Sequence, residues 1–171
     1  DCTCDGNTIH QLGSALSDAK LIYDAYLDTF RIGYASGGTF RLRAVSKTGG
    51  LGNDVVSVAG VTKWTDWGLA QNPANGQFVF AWTAYPDSSV RVGIASNNGT
   101  TVNQYLVAPD LAGALARRNV QLGYHASSQT FLAVWDEGTG IDIDVRGLLL
   151  ESNAAPAGPV FGVVGGNGNQ V

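Results

Sequence analysis

The sequence predicts an all-β chain of three four-stranded antiparallel repeats, and three observations predict it. An aromatic anchor recurs as Phe30-Arg-Ile-Gly-Tyr34, Phe78-Val-Phe-Ala-Trp82 and Phe131-Leu-Ala-Val-Trp135. Short apolar or alternating runs flank each anchor at matching distances, separated by Gly, Asn, Asp, Ser and Pro, the residues that tight turns require. Glycine accounts for 23 of 171 residues while charged residues make up only 14%, against roughly 25% in an average soluble domain.

The elements follow in order within each repeat. A first apolar strand lies upstream of the anchor, at Leu21-Ile22-Tyr23, at Trp67-Gly68-Leu69-Ala70 and at Val120-Gln121-Leu122-Gly123-Tyr124. Turn formers then lead into the anchor strand (Asp24 to Asp28, Gln71 to Gly76, His125 to Ser128), as in a β-hairpin. The anchor strands are apolar at nearly every position, the pattern of a strand buried on both faces. A third strand follows at Thr39 to Val45, Val90 to Ala95 and Ile141 to Leu149. Its alternation predicts one face open to solvent or to a partner. A polar turn and a short closing strand end each unit, at Val55 to Val58, Tyr105 to Val107 and Val160 to Val164.

Residues 1–17 therefore form a cysteine-bearing segment and 18–171 a single domain, with units near 18–60, 61–112 and 113–171. Asn7 to Lys20 and Pro109 to Arg118 depart from the strand pattern and are read as connectors, with a short helix as the alternative for each. A β-trefoil is also threefold with four strands per unit; the apolar second strands favour separate blades.

The phrase Phe131-Leu-Ala-Val-Trp135-Asp136-Glu137, followed by Ile141-Asp-Ile-Asp-Val-Arg-Gly147 and Gly158-Pro-Val-Phe161, resembles a repeat of secreted bacterial proteins whose units are similar to β-propeller blades. The third unit fits it well; the second keeps Trp82 but loses the Asp-Ile strand; the first has Tyr34 in place of Trp. The resemblance implies a blade and carries no chemistry. Three blades are too few to close a ring, since propellers typically have about four to eight. The two end blades would then expose apolar faces and sheet edges, which invites association.

Composition narrows the functional classes. A formal charge of −4 argues against nucleic acid, whose binders carry basic patches. No apolar run is long enough for a membrane-spanning helix. The sequence includes no methionine and only Lys20, Lys47 and Lys63 among many neutral polar side chains, which predicts a secreted or cell-surface protein, a cleaved leader being the commonest segment removed ahead of such a start. Cys2 and Cys4 are too close for an unstrained mutual disulfide. Free thiols, a strained local bridge or bridges between chains remain open.

No catalytic constellation emerges. His10 and His125 stand in no familiar catalytic spacing, and the glycine-rich runs lack the Lys-Ser/Thr of a phosphate loop. Asp136, Glu137, Asp142 and Asp144 are the densest carboxylates. They suit a solvated outer strand, with calcium as the alternative ligand. Arg41 and Arg43 of the first unit and Asp142 and Asp144 of the last fall at matched positions of their third strands, so opposite charge is expected to favour end-to-end contact between copies. Trp64, Trp67 and Arg91 are candidate sugar-stacking residues. The function expected is a non-enzymatic structural protein that binds copies of itself, without a cofactor; the alternative is a glycan-binding lectin completed by oligomerisation.

Overall fold

The computed structural model describes residues 19–36, 38–58, 64–98, 101–109, 116–139 and 142–164. Twelve strands account for most of them, and no helix occurs among the described residues. Sheet A contains β1 (Lys20–Asp24), β2 (Thr29–Ser36), β3 (Thr39–Val45) and β4 (Leu51–Val58). Sheet B contains β5 (Trp64–Asn72), β6 (Gln77–Ala84), β7 (Val90–Ala95) and β8 (Thr101–Ala108). Sheet C contains β9 (Ala116–His125), β10 (Thr130–Thr139), β11 (Asp142–Leu150) and β12 (Phe161–Val164). Each sheet is an antiparallel meander in sequence order, so each repeat read from the sequence is one sheet.

The first hairpin of every sheet is built the same way. A four-residue turn joins its two strands, and the last turn residue adopts positive φ: Asp28 at 49°, Gly76 at 72° and Gln129 at 54°. In sheet A the Asp24 carboxylate accepts from the backbone N–H groups of Tyr26 and Leu27, both at 3.2 Å. In sheet B Asn72 Oδ1 accepts from Ala74 N at 3.0 Å. These side-chain caps compete with continued strand pairing and so fix where the chain reverses.

The sheets stack face to face in the order A, B, C. Between A and B lie Phe40, Leu42, Trp67, Phe78, Phe80 and Trp82. Phe40 stacks on Trp67 at 4.9 Å and on Phe80 at 5.7 Å between ring centroids. Between B and C the filling is mostly aliphatic, with Val79, Val92, Ile94, Leu148 and Leu150 around Phe131 and Trp135. The first strands run close together. A Cβ on Gly68 of β5 would sit 3.0 Å from the carbonyl oxygen of Val120 on β9, so this close backbone approach favours glycine.

All twelve expected strands form, and their burial refines the expectation. β6 is buried on both faces because B has a sheet on either side. In β10 inward residues alternate with more exposed ones, since no described sheet covers the outer face of C. β7, expected to alternate, is buried at every position but Arg91 for the same reason as β6. The candidate connector at Pro109 to Arg118 is strand from Ala116 onward. The Asn7 to Lys20 connector lies outside the described residues except for its last two positions, and Lys20 opens β1.

Candidate functional site

Side-chain direction follows from the pairing register, because opposed residues of an antiparallel pair share a face and neighbours along a strand alternate. Phe78, Phe80 and Trp82 of B point at A, whereas Val79 and Ala81 point at C. Phe131, Ala133 and Trp135 of C point back at B. The equivalent residues of A are Phe30, Ile32 and Tyr34, which face away from B. The structure therefore has two end faces. On A, Leu21 is 71% exposed and Tyr23 and Phe30 are 50% exposed each. On C, Leu132, Leu149, Phe161 and Val163 are exposed.

The end face of C carries an open groove of about 580 Å³, lined by Gly123, His125, Ser128, Leu132 and Leu149, with Tyr124 at its rim. Its floor is Gly123, which pairs with Leu132, while Leu132 pairs with Leu149. Three adjacent strands thus present Gly123, Leu132 and Leu149 in one row, with Leu132 in the middle. His125 Nδ1 lies 2.8 Å from Ser128 Oγ, which in turn lies 2.7 Å from Thr130 Oγ1. Among the described residues no carboxylate hydrogen-bonds that imidazole.

Buried charge sits inside the sheet junctions. Between A and B, Arg31 Nε donates to Asp24 Oδ2 at 2.6 Å with both side chains withdrawn from water. Gln71 of B donates its amide to the same carboxylate and accepts from Ala25 N at 3.0 Å. Arg31 also lies over the Phe78 ring at 5.4 Å. Between B and C, Arg117 Nε donates to Glu137 Oε2 at 2.7 Å and its Nη1 to the Pro109 carbonyl at 2.7 Å. Arg146 Nε reaches Glu137 Oε1 at 3.2 Å, and Arg146 Nη2 reaches Asp144 at 3.0 Å. The buried members, Asp24, Arg31, Arg117 and Glu137, are mutually satisfied, as buried ions must be, whereas Arg146 and Asp144 are about a third exposed.

At the turns the charges are exposed. Lys47 Nζ donates to Asp28 Oδ2 at 2.7 Å and the Tyr23 hydroxyl to Asp28 Oδ1 at 2.6 Å. The Lys47 hydrogen bond, then that of Tyr23, holds the Asp28 carboxyl below its ordinary value, and the same bonds hold Tyr23 and Lys47 above theirs. Burial alone would raise Asp87, but hydrogen bonds from Ser89 and then Arg91 bring it down.

The residues singled out from the sequence divide as follows. Trp67, a sugar-stacking candidate, is fully buried against Phe40 and is withdrawn from any ligand. Trp64 opens β5, and its side chain lies outside the described part. Arg91 is partly exposed and engaged with Asp87 and Ser89. Cys2 and Cys4 lie outside the described residues. Arg41 and Arg43 share a face with Tyr34 and Ile32 by register, so they belong to the end face of A. Asp142 and Asp144 do not form its counterpart. Asp144 pairs with Glu137 and both aspartates lie on the side of C turned toward B. Arg41 in fact matches Arg91 and Arg146, each opposite its anchor aromatic. The matched-charge expectation slipped because strand register, not local spacing, sets the alignment.

Among the described residues no cluster of three or more His, Cys, Asp or Glu could hold a metal. Of the four carboxylates weighed for calcium, three are already engaged: Glu137 and Asp144 by Arg146, and Asp136 by Asn119. Sequence reasoning missed the groove and the Arg117–Glu137 pair. The former spreads over three strands, and the latter looks like solvated polar sequence until the sheets stack. Comparison with protein-family models and with curated proteins finds no match to this chain.

Proposed function

We propose that the protein is a non-enzymatic, secreted or cell-surface structural subunit that assembles with copies of itself, its sheets serving as propeller-like blades. One observation carries this reading. On the outer face of A, Leu21, Tyr23 and Phe30 are open although Tyr34 on the same face is buried, and on the outer face of C Leu132, Leu149 and Phe161 are open. By contrast, β6 of the middle sheet has no open side. Clustered exposed apolar side chains are costly to leave in water and mark interaction surfaces. The buried ion pairs, satisfied by one another, suit a structural role. The lectin reading loses support with the burial of Trp67.

Light scattering across a dilution series, paired with a glycan array, tests the proposal. Particles heavier than the 17.8 kDa chain with no glycan bound support assembly. A discrete small oligomer that binds a sugar supports the lectin instead, and a single chain at every concentration removes both.

A further inference from the structure

Resting on that reading, we infer that the groove on sheet C receives the Tyr23–Phe30 pair of a second copy, joining copies head to tail. The inference comes from the two junctions that the chain already contains. In each, three residues near the first hairpin make a receiving site, and an opposed pair from the next sheet fills it. Sheet A offers Ile22, Asp24 and Arg31, with Ile22 opposite Arg31. Gln71 and Phe78 of sheet B enter that site, Gln71 bonding Asp24 and Phe78 lying beneath Arg31. Sheet B offers Ala70, Asn72 and Val79, with Ala70 opposite Val79. Tyr124 and Phe131 of sheet C pack into the cluster that contains Ala70 and Val79.

Sheet C offers the third version, Gly123, His125 and Leu132, with Gly123 opposite Leu132. Here nothing described enters, and the site is the open groove. Among the described residues the filling pair left over is Tyr23 and Phe30 on sheet A. They are opposed in register like Gln71 and Phe78, and like Tyr124 and Phe131. Their geometry also matches the pair that fills sheet B. The Tyr23 and Phe30 rings are tilted by 60° at 5.6 Å, and those of Tyr124 and Phe131 by 53° at 4.9 Å. Within one chain the free pair is on the first sheet and the free site on the last. A second copy brings its first sheet to this last one and so repeats the junction between C and A.

Burial tracks this equivalence position by position. Asp24 and Asn72 are buried while His125 is exposed; Arg31 and Val79 are buried while Leu132 is 38% exposed. The receiving site on C is also the most apolar of the three at its centre, where leucine replaces the arginine of A. That suits an aromatic pair rather than a polar side chain such as Gln71. A contact between unlike faces propagates as a ring or a filament according to the rotation between copies. Two copies would supply six sheets, within the range of roughly four to eight in which such rings close.

Complementary variants test the seam. Phe30→Asp spoils the filling pair and Leu132→Asp the receiving site; Tyr23→Arg and Leu149→Arg repeat the test at neighbouring exposed positions, and circular dichroism verifies folding. Each variant alone should fall to the mass of one chain. An equimolar mixture of Phe30→Asp and Leu132→Asp should recover a two-chain particle, because one intact seam remains available. If each variant alone assembles as the wild type does, copies meet elsewhere and the seam is wrong while self-assembly stands. If only one of the two variants assembles, like faces meet and the seam is again wrong. If the wild type is a single chain at every concentration, both the seam and the proposed function fall.

Discussion

Tyr124–Phe131 and Tyr23–Phe30 occupy the same place in their respective sheets, opposed across the first hairpin. The first pair is packed into the cluster between B and C; the second is half exposed. The residues are of one kind and the hairpins are alike, so local sequence does not separate them. The neighbour does: sheet C has B in front of it, and sheet A has no described sheet in front. The comparison teaches that burial in a repeat array is a property of position in the stack. A residue suited to a core can remain at the surface when the next unit belongs to another molecule.

The largest expected effect comes from cutting the buried member of the comparison. Phe131→Ala should destabilise the fold by about 3–5 kcal/mol, the usual cost of removing a buried aromatic. Phe30→Ala should cost less than about 1 kcal/mol when measured on dilute chains, as surface changes do. Urea unfolding at low protein concentration checks both, and equal costs would break the comparison.

Next in size is the charged position before the turn. Asp24→Ala strands Arg31 inside the A–B junction and removes the cap on the turn, so a loss of about 3–5 kcal/mol is expected. His125→Ala, at the equivalent place in the open site, should change stability by less than about 0.5 kcal/mol. The same unfolding curves decide the matter.

The smallest effect concerns pH. Asp28 titrates below its ordinary value because Lys47 and Tyr23 donate to it. Its folded-state value is therefore below that of the unfolded chain. The stabilisation is present above the unfolded value of about 3.9 and is lost as pH falls through the lower folded value. Because the group is open to solvent, the change should be slight. An NMR titration should place the Asp28 midpoint below the ordinary carboxylate value. In Asp28→Asn the Tyr23 hydroxyl, which Asp28 holds up, should titrate closer to its usual value of about 10.

Much of this architecture is legible in the sequence. Alternation and anchor spacing locate every strand, and the turn residues bound them, because a half-buried strand writes its period of two into the side chains. What the sequence leaves hidden is which face looks where. Asp142 and Asp144 are visibly on one face, but only register shows it to be the face toward B. Trp67 stands outside the anchor motif, so nothing local distinguishes a stacked core ring from an exposed one. Arg117, followed by Arg118 and Asn119, reads as a polar connector until stacking supplies Glu137 and the Pro109 carbonyl. The groove joins Gly123, Leu132 and Leu149 across three strands, a neighbourhood that exists only after pairing.

Covalent labelling of tyrosine, read by mass spectrometry over a dilution series, tests most directly whether another copy covers the end face of A. Tyr23 should become protected as concentration rises, in step with the increase in particle mass. Tyr85, equally exposed but placed in the turn after β6, should stay reactive throughout. Tyr23 labelled to the same extent at every concentration, in step with Tyr85, would contradict the account.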